Sequence, residues 1–400
     1  MANCLVAQSG GPTTVINASL AGVVMANRLN PIYDTVYGGL NGIEGILQER
    51  LVDLTNMSEH ENKVLRQTPS SALGSCRYKL KRDNDADFVA LMGILDKYDI
   101  ETMFYIGGND SMDTVDALSE WARNHKVNHR FVGIPKTVDN DLMVTDHCPG
   151  FSSAAKFINS VVTSTWLDYN VYTRSEVFIL ETMGRDAGWL AGSAVVSGKV
   201  DLLILPEMNF EKDAFLAQVK KCMDEKNKCY IVVSEGAHFE DGTYLAAGKA
   251  VNDGFGHAIL GGAGNALKNM ILEAGIAPRA KVQDMSTAQR CANYCQSLVD
   301  VDEAFKLGMS GHMRSMNKAF TGQVVGVVRK DSDVYDVDYI AGPANDFANH
   351  VKNIPSEWIL KDYQGLSQAA YDYYLPLIQG EPTLIMENGV PAYVKPYHQK

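Results

Sequence analysis

The sequence lacks the features that mark a membrane-spanning or a disulfide-stabilised protein. No stretch of its 400 residues approaches the roughly 20 consecutive apolar residues that cross a bilayer. Its seven cysteines are scattered, and an odd number argues against a disulfide framework. Met1-Ala2-Asn3 leads directly into a strand-like run, so we expect no signal peptide. These absences predict a protein of the reducing cytoplasm with no membrane partner.

An excess of basic residues is also missing. The formal net charge is −12, which disfavours nucleic acid and anionic membranes as partners. The same charge constrains the choice of substrate. If the substrate carries phosphate, the binding site must be locally positive, and lysines and arginines near the ends of strands become the important cations.

Two familiar nucleotide-binding loops are absent near the start of the chain. The apolar run Cys4–Gln8 is followed by Ser9-Gly10-Gly11-Pro12-Thr13-Thr14 and then by a helical pattern. No Gly-Lys-Ser/Thr sequence closes this loop, and the third glycine of a dinucleotide fingerprint is missing. A strand, a glycine pair and a helix start still predict backbone N–H groups that face an anion.

The most informative stretch follows the apolar run Phe131–Ile134, which predicts a buried strand ending at Pro135. A short polar cluster comes next: Lys136, Thr137, Asp139 and Asp141. Ligands of open α/β sheets bind beyond the carboxyl ends of strands, so this cluster suits an anionic substrate or a metal ion. The cluster by itself fits a polar turn with a surface ion pair equally well.

A second strand end lies upstream of this cluster. The apolar run Met103–Ile106 is followed by Gly107-Gly108-Asn109-Asp110-Ser111 and by a helical pattern through Trp121. This order again points N–H groups at a phosphate. Two such strand ends separated by one helix are a stronger signal than either alone.

The alternation of strand-like runs and helical patterns over 400 residues predicts an α/β protein with two lobes. Late in the chain we expect helices near 258–274, 288–299 and 301–307. Gly261-Gly262-Ala263-Gly264 has the composition of a phosphate loop. No clear strand precedes it, and we interpret it as a site of close helix packing.

Five segments together resemble the phosphofructokinase family, in the same order and spacing over roughly residues 4–330. The segments are Ser9-Gly10-Gly11, Gly107-Gly108-x-x-Ser111, Pro135-Lys136-Thr137-x-Asp139-x-Asp141, Met183-Gly184-Arg185 and Gln289-Arg290. The family phosphorylates fructose 6-phosphate at its 1-hydroxyl, with ATP or pyrophosphate as the donor. The resemblance implies two stacked Rossmann-like domains with mainly parallel sheets and an active site in the cleft between them.

Two positions decide which donor the resemblance implies. The ATP branch normally has glycine at the positions of Asp110 and Lys136, whereas the pyrophosphate branch has aspartate and lysine. A carboxylate at Asp110 would meet the α-phosphate of ATP, which is a steric and a like-charge conflict. Lys136 would place an ammonium group beside the transferring phosphoryl group. We therefore expect a reversible pyrophosphate–fructose 6-phosphate 1-phosphotransferase that uses Mg²⁺.

The resemblance also implies a role for each matching residue. The catalytic group consists of Asp139 as the general base, Lys136, Asp110 and Arg185. The donor-binding group consists of Gly10, Gly11, Arg77, Gly108 and Ser111. The sugar-binding group consists of Thr137, Val138, Asp139, Met183, Gly184, Arg185, Glu235, Lys281 and Arg290. Asn109 occupies the metal position of the family.

Some positions depart from the family pattern. Asn109 stands where aspartate is usual, so pyrophosphate and water would hold most of the metal, with help from Asp141. Lys281 stands where the family often has arginine, and Thr287 stands where many members have histidine near the sugar phosphate. Glu176 stands where the family has an arginine that a neighbouring subunit contributes. These departures leave sedoheptulose 7-phosphate open as an alternative acceptor.

The resemblance further implies how the chain is divided. We expect a donor-binding domain at residues 1–145 plus about 285–345, a sugar-phosphate domain at 146–284 and a peripheral extension at 346–400. The family analogy suggests a homodimer. An ATP-dependent 6-phosphofructokinase and a catalytically silent sugar-phosphate-binding regulatory protein are the alternative functions.

Overall fold

The computed structural model describes residues 2–78, 80–246 and 260–399. The strands of its two main sheets are β1 (Asn3–Gln8), β2 (Val36–Gly39), β3 (Leu51–Asp53), β4 (Ile100–Gly107), β5 (Arg130–Pro135), β6 (Glu176–Thr182), β7 (Leu202–Ile204), β8 (Lys228–Ser234), β9 (Ala280–Asp284), β10 (Gln323–Arg329) and β11 (Val337–Pro343). The α-helices are α1 (Ile16–Leu29), α2 (Gly42–Ile46), α3 (Glu59–Gln67), α4 (Asp85–Lys97), α5 (Asn109–Asn124), α6 (Phe151–Asn170), α7 (Trp189–Ser193), α8 (Lys212–Lys226), α9 (Ala263–Glu273), α10 (Leu298–Arg314), α11 (Ala344–Phe347) and α12 (Gln368–Leu377).

The larger sheet has seven strands in the order β11-β10-β5-β4-β1-β2-β3. Its interior pairs are parallel, and the pairs at its two edges, β2–β3 and β10–β11, are antiparallel. Strands β1, β4 and β5 are buried along almost their whole length. Their continuous apolar runs, in place of an alternating pattern, are typical of a sheet covered by helices on both faces.

The smaller sheet has four parallel strands in the order β7-β8-β6-β9. Two mainly parallel sheets with helices on their faces confirm the predicted α/β fold class. Polar loops follow the carboxyl ends of strands in both sheets, and these ends meet at a cleft.

One predicted helix is wrong. We expected a helix over 288–299, but the chain forms two short 3₁₀ turns, Ser286–Arg290 and Asn293–Cys295, and extends at Gln296 before α10 begins. The side chain of Gln296 donates a hydrogen bond to Thr14 O at 2.8 Å. A tertiary contact therefore outweighs the local helical pattern in this segment.

The C-terminal segment is less peripheral than we expected. Ile354, Tyr374 and Leu377 are buried in the core around the smaller sheet. Farther along, Gln67 bonds the main chain of Ile385 and Ala392. Part of this segment therefore contributes to the interior. Among the described helices, none has the length and apolar character needed to cross a membrane.

The glycine-rich turn before α9 confirms our interpretation as a packing element. A Cβ on Gly264 would lie 2.9 Å from Val282 Cγ1, so the helix packs close to β9. The N–H groups of Gly262 and Gly264 donate to the Glu181 carboxylate at 2.7 and 2.9 Å. A side chain of the protein itself therefore occupies the anion position of this turn. Residues 258 and 259 of the expected helix lie outside the described residues.

Candidate active site

A cavity of about 580 Å³ lies in the cleft, at the carboxyl ends of strands from both sheets. Its lining includes Gly10, Gly11, Arg77, Gly108, Asn109, Asp110, Ser111, Lys136, Thr137, Val138, Asp139, Asp141, Met183, Arg185, Glu235 and Arg290. These residues come from loops far apart in sequence. The structure therefore brings nearly all of the sequence-predicted site residues around one space.

The glycine pair after β1 lies next to two cationic side chains, Lys136 and Arg290. A Cβ on Gly10 would lie 3.5 Å from Lys136 Nζ, and a Cβ on Gly11 would lie 3.4 Å from Arg290 Nη1. Lys136 Nζ also donates a hydrogen bond to Gly11 O at 2.5 Å. Gly10 has φ +74°, a conformation that favours glycine. This turn is suited to an anion held between main chain and ammonium and guanidinium groups.

A second loop supports this turn and carries Arg77. Ser75 Oγ donates to Gly10 O at 2.6 Å, and Gly10 N donates to Cys76 O at 3.3 Å. Arg77 follows immediately and lines the cavity. The small polar stretch 70–77 is therefore part of the site.

The N-terminus of α5 forms the neighbouring wall. Gly107 must be glycine, because a Cβ there would lie 2.0 Å from Ser111 Oγ. Asp110 lies in the first turn of the helix and lines the same cavity as Lys136. The two residues that the family resemblance links to the choice of donor thus line one cavity.

The side-chain amide of Asn109, the expected metal position, is hydrogen-bonded at both ends. Its Oδ1 accepts a hydrogen bond from Asn349 N at 2.8 Å, and its Nδ2 donates to His350 O at 2.9 Å. Both ends of the amide are therefore engaged with main chain of the C-terminal segment. Asn109 is better suited to fixing that segment than to serving as the principal metal ligand.

The loop after β5 places two carboxylates in the cavity. Asp139 Oδ1 and Asp141 Oδ1 are buried and receive no hydrogen bond from the described residues. Burial, followed by the charges of Asp141 and Glu235, raises the pKa of Asp139 to about 7. Burial also raises the pKa of Asp141. A buried carboxylate whose pKa lies near neutral pH can take up a proton during a reaction.

Mg²⁺ fits these carboxylates. Within residues 2–78, 80–246 and 260–399, no three His, Cys, Asp or Glu side chains gather as a metal site. Mg²⁺, however, usually takes one or two carboxylates and completes its shell with phosphate oxygens and water. The buried, unpartnered Oδ1 of Asp141 meets that requirement.

The cations of the site are held in a low-dielectric environment. Burial, and then the charge of Arg290, lowers the pKa of Lys136 to about 8. Burial, and then the charge of Arg77, lowers the pKa of Arg290. An incoming phosphate would relieve this repulsion, so the cavity favours an anionic ligand.

Loops after β6 and β8 form the opposite wall. Gly184 has φ +127°, and its carbonyl accepts hydrogen bonds from Ser234 Oγ at 2.5 Å and Gly236 N at 3.1 Å. These bonds fix the loop that carries Arg185 against the loop that carries Glu235. Burial, followed by the charges of Glu181 and Asp284, raises the pKa of Glu235 to about 7.

Lys281 does not belong to this cavity. It is the second residue of β9 and lines a different cavity together with Lys268 and Arg279. It lies three residues before the carboxyl end of its strand, roughly 10 Å away along the strand. Glu176 is fully buried at the start of β6 and pairs with Arg174 and Arg279. Within this chain, Lys281 and Glu176 therefore lie apart from Arg290, and a role for Lys281 in binding the sugar phosphate stays a prediction.

Some lining residues had no role in the sequence analysis: Pro12, Asp186, Leu260, Asn349 and Val351. Asp186 directly follows Arg185 and accepts a hydrogen bond from its Nε at 2.8 Å, so the Met183-Gly184-Arg185 motif could have been extended by one residue. Asn349 and Val351 come from a segment with no recognisable motif, and only the tertiary structure reveals them.

A sequence model of the family described as Phosphofructokinase matches residues 3–310. Proteins from Halomonas elongata and from Xanthomonas campestris pv. campestris, both named pyrophosphate–fructose 6-phosphate 1-phosphotransferase, are each 38% identical to this chain. Both alignments cover 98% of this chain, and they cover 96% and 95% of those proteins.

A solved structure is also similar to this chain over almost its whole length. The crystal structure of a pyrophosphate-dependent phosphofructokinase from Nitrosospira multiformis has a TM-score of 0.89 and 33% identity to this chain. The match covers 99% of this chain and 96% of that one. The glycine turns, the paired carboxylates and the cations of the cleft therefore lie on a fold shared over almost the whole length, and the chain belongs to the phosphofructokinase family.

Proposed function

We propose that this protein transfers a phosphoryl group reversibly from inorganic pyrophosphate to the 1-hydroxyl of fructose 6-phosphate. The observation that carries the proposal is the presence of Asp110 and Lys136 in one cavity with Asp139. The names of the full-length relatives agree with this reaction.

The geometry supports direct transfer between the two substrates. Asp139 takes the proton of the sugar 1-hydroxyl, and the hydroxyl oxygen forms the new P–O bond. The bridging P–O bond of pyrophosphate breaks, and orthophosphate leaves with the electron pair of that bond. Lys136, Arg77 and Arg290 stabilise charge on the phosphate oxygens, while positioning and electrostatics supply the catalysis.

The opposite wall orients the sugar. Met183 and Arg185 line the cavity beside Glu235, whose carboxylate is suited to accept hydrogen bonds from sugar hydroxyls. Thr137 Oγ1 accepts a hydrogen bond from Asp139 N at 3.1 Å, which fixes the base next to the acceptor. Val138 contributes an apolar surface.

Mg²⁺ is part of the proposal. When bound, it neutralises negative charge on the phosphate oxygens. Asp141 is the residue we propose to hold it, together with pyrophosphate and water. Lys136 and Arg290 bind the phosphate that lies next to Gly10 and Gly11.

An ATP-dependent kinase of the same family is disfavoured by charge. Asp110 stands in the first turn of α5, at the wall where a nucleotide would extend beyond its terminal phosphates. A silent regulatory protein is disfavoured because Lys136, Asp139 and Arg185 all line the cavity. A binding protein has no need of a buried carboxylate whose pKa lies near 7.

Further parts of the proposal concern context. We propose that the enzyme acts in the cytoplasm, in the glycolytic interconversion of hexose phosphates, as a homodimer. We also propose that residues 1–145 and about 285–345 bind the donor and that 146–284 bind the sugar, because the two sheets are built from these ranges. Use of sedoheptulose 7-phosphate as an alternative acceptor stays a prediction, which is tested by supplying it in place of fructose 6-phosphate.

Donor assays test the proposed reaction. Purified protein is supplied with fructose 6-phosphate, Mg²⁺ and either pyrophosphate or ATP, and fructose 1,6-bisphosphate is measured. We expect turnover with pyrophosphate and at least a hundredfold lower kcat/KM with ATP. Full activity with ATP and none with pyrophosphate would overturn the assignment of the donor.

A further inference from the structure

The loop between β5 and α6, residues 136–150, contains two residues in an uncommon main-chain conformation. Asn140 and Val144 have φ of +55° and +69°. Such conformations are uncommon for residues other than glycine, and a β-branched residue there is an outlier. Each costs on the order of 1–3 kcal/mol unless the surroundings fix it. The loop that carries Asp139 and Asp141 therefore needs external support.

Asn140 receives that support. It is fully buried between the two carboxylate residues in sequence. Its Oδ1 accepts hydrogen bonds from Cys148 N at 3.0 Å and Lys352 Nζ at 3.4 Å. Its Nδ2 donates to Tyr373 Oη at 3.0 Å. A residue adjacent to both cavity carboxylates is thus held from the C-terminal segment.

Lys352 makes further contacts with the same loop. Its ammonium group donates to Asp146 O at 2.7 Å and Thr145 O at 3.1 Å, and its main-chain N–H donates to Asp141 O at 2.8 Å. Tyr373 Oη donates to Asp146 O at 2.8 Å. We call Lys352 and Tyr373 the tail clamp.

The same segment reaches both walls of the cavity. Asn349 and His350 hold the side chain of Asn109 at the donor wall. Lys352 O accepts a hydrogen bond from Trp189 Nε1 at 2.6 Å. Glu207 Oε1 accepts from Ile354 N at 3.1 Å and from Gly188 N at 2.9 Å, close to Arg185. The main chain of residues 349–354 therefore connects three parts of the cavity: the N-terminus of α5, the loop that carries Asp139, and the loop that carries Arg185.

We infer that the tail clamp is a positioning device: Lys352 and Tyr373 hold Asn140 so that Asp139 and Asp141 face the substrates in a reactive geometry. The inference deepens the proposed function and rests on it for its kinetic test. The clamp lies beyond residues 3–310, the part of the chain that matches the family. A shared catalytic loop thus depends on a segment outside that match.

Two adjacent tyrosines give a matched pair of variants. Tyr373→Phe removes the hydroxyl that contacts Asn140 and Asp146. Tyr374→Phe removes a buried hydroxyl that has no hydrogen-bond partner among the described residues. The two variants make the same chemical change on the same helix, and only the first loosens the loop.

Steady-state kinetics supply the first test. We expect Tyr373→Phe to lower kcat about threefold to tenfold, and Lys352→Met about 10- to 100-fold, because small displacements of reacting groups have such effects. KM for both substrates should change less than about threefold, since the binding residues are untouched. Tyr374→Phe and the exposed Lys361→Met should keep kcat within about twofold of the unmodified protein.

Hydrogen exchange supplies a second readout that needs no activity. Without substrates, amides of residues 137–150 should exchange faster in Tyr373→Phe than in Tyr374→Phe. Equal exchange together with equal kcat in these two variants would overturn the clamp, even if Lys352→Met failed to fold. If the unmodified protein shows no pyrophosphate-dependent activity, the proposed function fails, and the exchange comparison still decides whether the clamp holds the loop.

Discussion

The loops after β4 and β5 start at neighbouring positions of the larger sheet and are built in opposite ways. After β4 the chain turns at Gly107-Gly108 and enters α5 at once, so helix hydrogen bonds support Asp110 and Ser111. After β5 it runs through 15 residues, from Lys136 to Gly150, before α6 begins. The main chain of the first loop is stabilised by its own helix, and distant residues contact the side chain of Asn109. The main chain of the second loop is held by side chains that arrive from more than 200 residues away.

The difference follows from what each loop does. The first loop presents N–H groups and one carboxylate at a helix end, which local geometry can provide. The second must hold two carboxylates away from water, where their charged forms are disfavoured. Burial of that kind requires cover from several elements, and a long connection gives the chain room to receive it.

Removal of the base tests the second loop most severely. We expect Asp139→Asn to lower kcat about 10³-fold with KM changed less than about threefold, because the amide cannot accept the proton of the sugar hydroxyl. Steady-state assays with pyrophosphate measure both constants. Retained kcat would show that another group acts as the base.

The control for this variant is Asp333→Asn, an exposed position where we expect no change in kcat. The pH profile adds a check on sign. The pKa of Asp139 is raised to about 7, so the base is increasingly protonated below that pH. We expect kcat/KM of the unmodified enzyme to fall roughly tenfold per pH unit on the acid side.

A double change tests the division of labour between the two loops. Asp110→Gly combined with Lys136→Gly removes one donor-selecting residue from each loop. We expect kcat/KM for pyrophosphate to fall at least about 10²-fold, because the ammonium group beside the phosphoryl group is lost. Assays with pyrophosphate and with ATP measure the change in preference. Unaltered use of pyrophosphate would refute the roles of these two residues.

The smallest expected effect concerns stability of the second loop. His147 lies between Asp146 Oδ1 at 2.8 Å and Glu303 Oε2 at 2.5 Å, with Tyr335 Oη bonded to Glu303. Burial opposes its charged form, but Glu303 and Asp146 outweigh burial and raise its pKa to about 9. His147→Gln should lower the free energy of unfolding by about 3 kcal/mol, since two carboxylates lose a cation.

The pH dependence of this contribution has a definite sign. The folded pKa of about 9 lies above the ordinary value of 6.5. The stabilisation is therefore fully present below about pH 6.5 and is lost as the pH rises through about 9. Chemical denaturation between pH 6 and pH 10 should show the difference between the unmodified protein and His147→Gln shrinking toward the alkaline end. A constant difference would contradict a charged His147.

Local sequence patterns predicted the parts of the site that local structure builds. The glycine turns at Gly10 and Gly108, and Lys136 at the end of β5, follow from strand ends and glycine pairs. The tail clamp carries no such signal, because a lysine and a tyrosine in an aromatic segment look like ordinary packing. After the 3₁₀ turns near Arg290, Gln296 bonds Thr14 O, a contact that no local pattern contains.

Lys281 lies apart from the other residues to which the family resemblance assigns the sugar phosphate. A strand residue shifts about 3.3 Å along the sheet for every step in sequence, so a position three residues before the carboxyl end of β9 lies away from the cavity. Residues at loop starts, such as Arg185 and Glu235, are less sensitive to this effect because the strand ends define where they begin.

The Glu181 carboxylate at the start of α9 has a practical consequence for recognising phosphate loops. A dissolved orthophosphate that approached this turn would find its N–H groups already bonded to an internal carboxylate. Glycine content alone would therefore place a phosphate site beside the smaller sheet, where the Glu181 carboxylate already occupies the anion position. Glycine-rich turns are distinguished by whether an acidic side chain from the adjacent strand reaches them first.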